Sequence, residues 1–381
     1  MTIDAHALSG SRRPGWMSAL AILLVFRIGL FAFVYLARAL VDLPHPHGNT
    51  YPGNLFLDGW VQWDSEWYSR IASHGYTNVP NAAGERDTAF FPLLPMLARL
   101  LGHVIGDVNL SGLLICNAAF LVAGMLIYQF ARQWLDEPTA LRAIVLLCVW
   151  PGAYVFSAFY AESLLLLASV GMFAAARRRW WLIAALCAAA GGATRPPGIL
   201  LTPALILTYM QDMRWRPKWD ILYTLLGVCG VGGYTIYLWI RFDDPFAMMR
   251  AQGAAMWGGH SSITSLVRLF HDTANATFSQ IASGDLTLVD LLQVGLLIIA
   301  AAMAIAMWRK LPWVCSAWAT AALALAWMRW ISGARQAAVI FPLFIATGSV
   351  LRGRYFYAVV YISTLLLALA TFLFCQSQWI G

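Results

Sequence analysis

Long apolar stretches with few charges recur along the chain, at 17–41, 107–131, 141–156, 160–176, 180–194, 197–212, 220–241, 286–308, 311–328, 336–351 and 355–375. A bilayer core takes roughly 20 predominantly apolar residues as a helix, and fewer where a helix is broken or buried in a bundle. The pattern predicts an all-α polytopic membrane protein of about 11 transmembrane helices, forming a single domain over 1–381. The stretches between 141 and 212 are short and paired, with Pro151 and Pro196-Pro197 near their ends. Short, proline-interrupted spans are tolerated where they line a cavity. The N-terminal Arg12-Arg13 and apolar run imitate a signal peptide, but the run is too long and contains Arg27, so a retained first span is expected.

Two longer segments, 42–106 and 242–285, separate the spans and are rich in Trp, Phe, His, Asp and Arg. Long connections of that composition are functional rather than disordered. In the first, Trp60, Trp63, Trp67 and Ile71 recur at helical spacing. They predict an amphipathic helix over 60–76 that lies in the membrane interface. Asp64 lies beside that apolar face and Glu66 across from it. Ala89-Phe90-Phe91-Pro92-Leu93-Leu94-Pro95 carries two prolines in an apolar run and predicts a re-entrant or hairpin segment.

Composition sharpens this picture. Apolar residues make up 60% of the chain, charged residues 11%, and the mean hydropathy is +0.67. A soluble domain carries about 25% charge, so a soluble enzyme, a disordered chain and a secreted disulfide scaffold are all excluded. With residue 1 in the cytoplasm, 14 of the 25 basic residues fall on cytoplasmic turns, and 13 of the 18 acids fall on or near the outer side. The net charge of +7 therefore reports orientation and not nucleic-acid binding. The expected location is the cytoplasmic membrane, with the ionisable chemistry outside. The six cysteines sit in apolar runs without metal-like spacing and read as small hydrophobes.

Each candidate residue has a structural reading beside a chemical one. Asp64 is either a solvated acid on an anchor helix or a general base held at headgroup depth. Glu162, in Tyr160-Ala161-Glu162-Ser163, either sits in outer water, pairs with Arg195, or is a functional acid at membrane depth. Arg195, in Thr194-Arg195-Pro196-Pro197-Gly198, suits a phosphate because its guanidinium is planar, permanently charged and multidentate. Its alternative is an interfacial snorkeller. Arg27 lies near the middle of the first span, where a cation needs a partner or a polar cavity. Arg329 and Arg335 flank the last outer turn and read as loop charges or as parts of an anion site. Phe90, Phe91 and Pro92 read as a hairpin or as the wall of a lipid groove. No Walker loop, GxGxxG after a strand, HExxH or GxSxG is present.

In order along the chain, Trp63-Asp64-Ser65-Glu66, His74-Gly75-Tyr76, Ala89-Phe90-Phe91-Pro92, Tyr160-Ala161-Glu162-Ser163-Leu164, the turn at 177–179, Arg195 with Gly198, Arg329 and Phe341-Pro342 resemble the PIG-V family, whose eukaryotic members are GPI mannosyltransferase 2. The chain departs from the family pattern at 195–198, where Arg-Pro-Pro-Gly replaces Arg-Ser-Asn-Gly. The segment Asp243–Gln252 with Trp257-Gly258 is similar to the bacterial branch.

The resemblance implies a GT-C fold with its site on the outer face. It also implies a polyprenyl-phosphate sugar donor (typically mannose), a lipid or glycan acceptor, and no metal, nucleotide or other cofactor. The family's acidic residue falls on Asp64, the expected catalytic base of an inverting transfer. Glu66, Trp63, His74 and Glu162 are expected to position substrate. Arg195, Arg335, Arg329 and Arg27 are expected to bind the donor phosphate, and Phe90, Phe91 and Pro92 its lipid. Two other classes compete: a transporter or flippase for lipid-linked sugars, and a catalytically silent membrane scaffold.

Overall fold

The computed structural model describes residues 14–41, 51, 53–253, 263–275 and 288–378. Arg12, Arg13, Trp257 and Gly258 lie outside the described residues. The helices are α1 (Gly15–Leu40), α2 (Leu55–Asp58), α3 (Asp64–His74), α4 (Leu93–Ile105), α5 (Val108–Ala131), α6 (Glu137–Val149), α7 (Glu162–Arg177), α8 (Trp181–Gly192), α9 (Leu201–Asp212), α10 (Cys229–Phe242), α11 (Ala247–Gln252) and α12 (Ile263–Ala274). Then follow α13 (Leu288–Lys310), α14 (Trp313–Met328), α15 (Gly333–Ala338), α16 (Phe341–Val350) and α17 (Gly353–Cys375). Among the described residues there is no strand.

Each expected span contains a helix, many of them shorter than a full crossing. Among the described residues, five helical stretches are by themselves long and apolar enough to cross a membrane, Gly15–Leu40, Val108–Ala131, Trp219–Phe242, Val289–Lys310 and Gly353–Cys375. Trp313–Met328 with Trp330–Ala338, bent by 113°, makes up to six. The stretch 219–242 joins a 3-10 helix (Trp219–Val228) to α10. α1 shows the logic of such a helix. Ala19, Leu23, Arg27, Leu30, Val34 and Ala37 form a buried stripe, while Val25, Ile28, Leu36 and Leu40 face outward. Large apolar side chains turned away from the protein are stable where the solvent is lipid.

Small residues let the inner helices approach closely, the usual device where lipid removes a hydrophobic drive to associate. Gly124 of α5 admits Leu23 of α1, and a Cβ there would stand 2.6 Å from that leucine's Cδ2. α5 and α8 both pack along α7, and α16 lies along α6 and α13.

Prolines end the inner helices early. α6 stops at Val149 because Trp150 precedes Pro151 and is extended, with ψ 133°. The expected span 141–156 is therefore a shorter helix followed by a 3-10 turn at Ala153–Phe156. Arg195 precedes Pro196 and is extended for the same reason, at φ −162° and ψ 159°. Pro342 opens α16, so the expected span 336–351 is two helices, α15 and α16. The first long segment holds α2, α3, a 3-10 turn at Asp87–Ala89, and α4.

Candidate active site

The predicted helix over 60–76 begins later than its aromatic spacing suggests. Trp63 takes a left-handed backbone, φ 55°, and α3 starts at Asp64. The bend turns Trp60 away from the interface into the protein, where it is fully buried, edge-on to Phe31 at 5.2 Å. The same bend makes Asp64 the first residue of a helix. Glu162 is likewise the first residue of α7. Both carboxylates thus sit at the positive end of a helix dipole, where negative charge is favoured.

These two helix starts are joined directly. The Phe159 N–H donates to the Trp60 carbonyl at 3.3 Å. The Asp64 N–H donates to the Tyr160 hydroxyl oxygen at 3.3 Å. Arg335 then arrives from α15. Its Nη1 lies 2.8 Å from Asp64 Oδ2 and its Nε 3.0 Å from Glu162 Oε1. Its guanidinium carbon lies 5.1 Å from the centre of the Tyr160 ring. Arg195 pairs with Glu162 Oε1 as well. The result is a chain, Asp64–Arg335–Glu162–Arg195, buried except at the partly exposed Arg195 and drawn from four separate parts of the sequence.

Backbone contacts place Arg335. The Trp150 indole N–H donates to the Ala334 carbonyl at 2.7 Å, and the Ala334 N–H donates to Gln293 Oε1 at 2.8 Å. Gly152 admits this backbone, since a Cβ there would lie 2.5 Å from Ala334 O. Arg329 donates to the Gln252 carbonyl at 2.8 Å, and the Gln252 amide donates to the Ala89 carbonyl at 2.6 Å. Its guanidinium is within electrostatic reach of Arg195, Arg335 and Asp64.

The remaining expected residues lie elsewhere. Arg27 is buried in α1, donates to Ser157 Oγ and stands over the Phe120 ring at 4.2 Å. It secures the turn before Glu162 and shows no contact with the four-residue chain. Glu66 is exposed on α3. His74 is exposed at the far end of α3, about 15 Å along the axis from Asp64. Trp63 is half-buried at the bend, and Pro92 caps α4. Phe90 and Phe91 pack within the protein. Phe90 stacks on Trp67 at 5.5 Å, Phe91 packs on Tyr234 at 5.5 Å, and both rings are buried.

Three features escaped the sequence reading. Tyr68 sits one helical turn after Asp64, and its phenol feels the charges of Arg195, Glu162, Asp64 and Arg335. Burial, the largest influence, pushes that phenol well above its ordinary value, so it remains a neutral donor. Its i+4 spacing from Asp64 was the available signal. Arg38 and Asp58 form a buried ion pair at 2.5 Å. The Gln62 amide donates to the Asp58 carbonyl at 2.7 Å, and Ser377 Oγ donates to Gln62 Oε1 at 2.5 Å. This network fixes the turn that presents Asp64, and it reaches residues more than 300 positions later, which no local pattern reveals. Among the described residues no group of three or more His, Cys, Asp or Glu is placed to hold a metal ion.

Residues 46–214 match the mannosyltransferase (PIG-V) family. The PIG-V resemblance read from the sequence motifs therefore meets an independent finding. The matched range contains Asp64, Glu162 and Arg195, while Arg329 and Arg335 lie beyond it. No curated protein matches the sequence.

The chain is also similar to solved structures. One is the Archaeoglobus fulgidus oligosaccharyltransferase in complex with zinc and sulfate, at 16% identity over 95% of this chain and 53% of that one, TM-score 0.48. Another is the archaeal oligosaccharyltransferase AglB from Archaeoglobus fulgidus with an inhibitory peptide and a dolichol-phosphate, at 14% identity over 96% and 56%, TM-score 0.43. A third is ArnT from Cupriavidus metallidurans bound to undecaprenyl phosphate, at 13% identity over 93% and 78%, TM-score 0.42. The chain spans about half the length of the oligosaccharyltransferase.

Proposed function

We propose that the protein is a membrane glycosyltransferase of the GT-C type. In this reading it transfers a hexose, mannose by its family match, from a polyprenyl-phosphate donor to a hydroxyl of a lipid or glycan acceptor at the outer face of the cytoplasmic membrane. The observation that carries the reading is the Asp64–Arg335–Glu162–Arg195 chain with Arg329 beside it. Three guanidiniums against two carboxylates leave one positive charge, a surplus suited to a phosphate.

The acceptor oxygen attacks C1 of the donor sugar from the face opposite the phosphate. Asp64 takes the hydroxyl proton, the C1–O bond to the phosphate breaks, and polyprenyl phosphate leaves with the bonding electrons. The configuration at C1 inverts. The arginines stabilise the charge that grows on the leaving phosphate, which is electrostatic catalysis in a site already arranged for it. In this mechanism Tyr68 and Glu162 hold sugar hydroxyls or the arginines.

Membranes containing the protein, incubated with a panel of polyprenyl-phosphate sugars and followed by mass analysis of lipid and glycan products, test the reading. Sugar transfer that is lost in Asp64→Asn supports it. Undiminished transfer by that variant rules out Asp64 as the base. Transmembrane flux of the lipid-linked sugar without any transfer product places the protein among transporters instead.

A further inference from the structure

The arginines that face the expected phosphate are not all free to meet it. Arg335 is held between two carboxylates, and Arg195 shares one of them. Arg329 donates to a backbone carbonyl and, among the described residues, meets no carboxylate at ion-pair distance. An incoming phosphate thus finds one uncommitted cation and engages Arg335 fully only by taking it from a partner.

The two partners of Arg335 are unequal. Glu162 is the deeper, with a side chain 2% exposed, and it also binds Arg195. Its contact is to Nε, near the root of the guanidinium. Asp64 is 11% exposed and holds Nη1, at the tip. A small rotation about Nε moves the tip and leaves the root in place. The fork of N–H donors on arginine allows such a change of partner without loss of charge.

We propose that the donor's phosphate takes Nη1 of Arg335 from Asp64, so that donor binding itself releases the base while Glu162 retains the guanidinium as a pivot. This rests on the glycosyl-transfer reading and adds an order to it, donor before acceptor. The reaction then pulls in the same direction. The donor is a phosphodiester with one negative charge, and the departing polyprenyl phosphate gains a second. Asp64 becomes neutral as it takes the acceptor's proton. The phosphate's hold on Arg335 therefore strengthens, and that of Asp64 weakens, along the path to the transition state. Interactions that grow in that way accelerate the chemical step.

Binding of undecaprenyl phosphate alone tests the exchange and needs no acceptor. The full chain in nanodiscs is compared as wild type, Asp64→Asn, Arg335→Gln and the double variant. Gel filtration checks folding, and Asp64→Ser replaces Asp64→Asn if the latter misfolds. The expected result is binding about tenfold tighter or more in Asp64→Asn, since the phosphate no longer displaces a carboxylate. The gain vanishes in the Arg335→Gln background, as a double-mutant cycle requires of a directly coupled pair. Equal or weaker binding in Asp64→Asn overturns the exchange. So does a gain that persists without Arg335, which is long-range repulsion alone. Failure of the wild type to bind the probe overturns the glycosyl-transfer reading instead, and wild-type transfer by Asp64→Asn overturns only the role of Asp64 as its base.

Discussion

Arg335 Nε lies 3.0 Å from Glu162 Oε1, and this contact ties the start of α7 to the short helix α15. Glu162 also holds Arg195, so a single carboxylate anchors two guanidiniums. Removing its charge leaves both without that partner, and breaking a buried pair on one side costs about 3–5 kcal/mol. Glu162→Gln is expected to lower stability by roughly 3 kcal/mol, read as an earlier thermal melt in detergent. An unchanged melt shows that Glu162 is not the anchor.

Asp64→Asn preserves shape and removes the proton acceptor. Transfer is expected to fall about 10²–10⁴-fold, well beyond any loss of folded protein that follows from the broken Asp64–Arg335 pair. Turnover counted per folded molecule is the measurement.

Lysine at position 335 keeps the charge but offers a single point of contact in place of a fork. Arg335→Lys cannot serve Asp64 and Glu162 at once in the observed geometry. Its transfer rate is expected to drop at least tenfold, close to that of Arg335→Gln. Full activity in the lysine variant shows that charge alone suffices.

The Tyr68 phenol is pushed upward by burial, so its proton is retained far into alkaline solution. In the wild type it contributes no limb to the pH–rate profile below that range. Tyr68→Phe is expected to lower transfer by about tenfold, the order of a lost buried hydrogen bond, while leaving the shape of the profile unchanged. A shifted alkaline limb in that variant contradicts a neutral donor.

Gly152 lies against the backbone that presents Arg335. In Gly152→Ala the new methyl meets Ala334 O at 2.5 Å. Transfer is expected to fall because Arg335 is displaced, although residue 152 does not itself meet the charged chain. Wild-type kinetics in this variant indicate that the backbone at 334 yields freely.

Much of this site is legible in the sequence. Asp64, Glu162, Arg195, Arg329 and Arg335 stand out because ionisable residues are scarce in an apolar chain and each demands a partner at membrane depth. Pro196 marks the extended turn that carries Arg195, since the residue before a proline leaves the helical region. The start of α3 was not legible. The aromatic spacing from Trp60 fits a helix, and only the left-handed bend at Trp63 breaks it. Phe90 and Phe91 look equally suited to lipid or to protein, and their packing against Trp67 and Tyr234 could not be read from the sequence. The number of crossings is not legible from apolarity alone, because buried inner helices are as apolar as those that cross.

The placement of Arg335 by Trp150, Gly152 and Gln293 has a consequence for biogenesis. Asp64 and Glu162 leave the ribosome long before Arg335 does. Until the helix that carries it docks against residues 150–153, the nascent chain holds two acids and lacks the cation that links them. Membrane insertion therefore proceeds before the charged site is assembled. Arg335, the last of the site's charged residues to be translated, completes it.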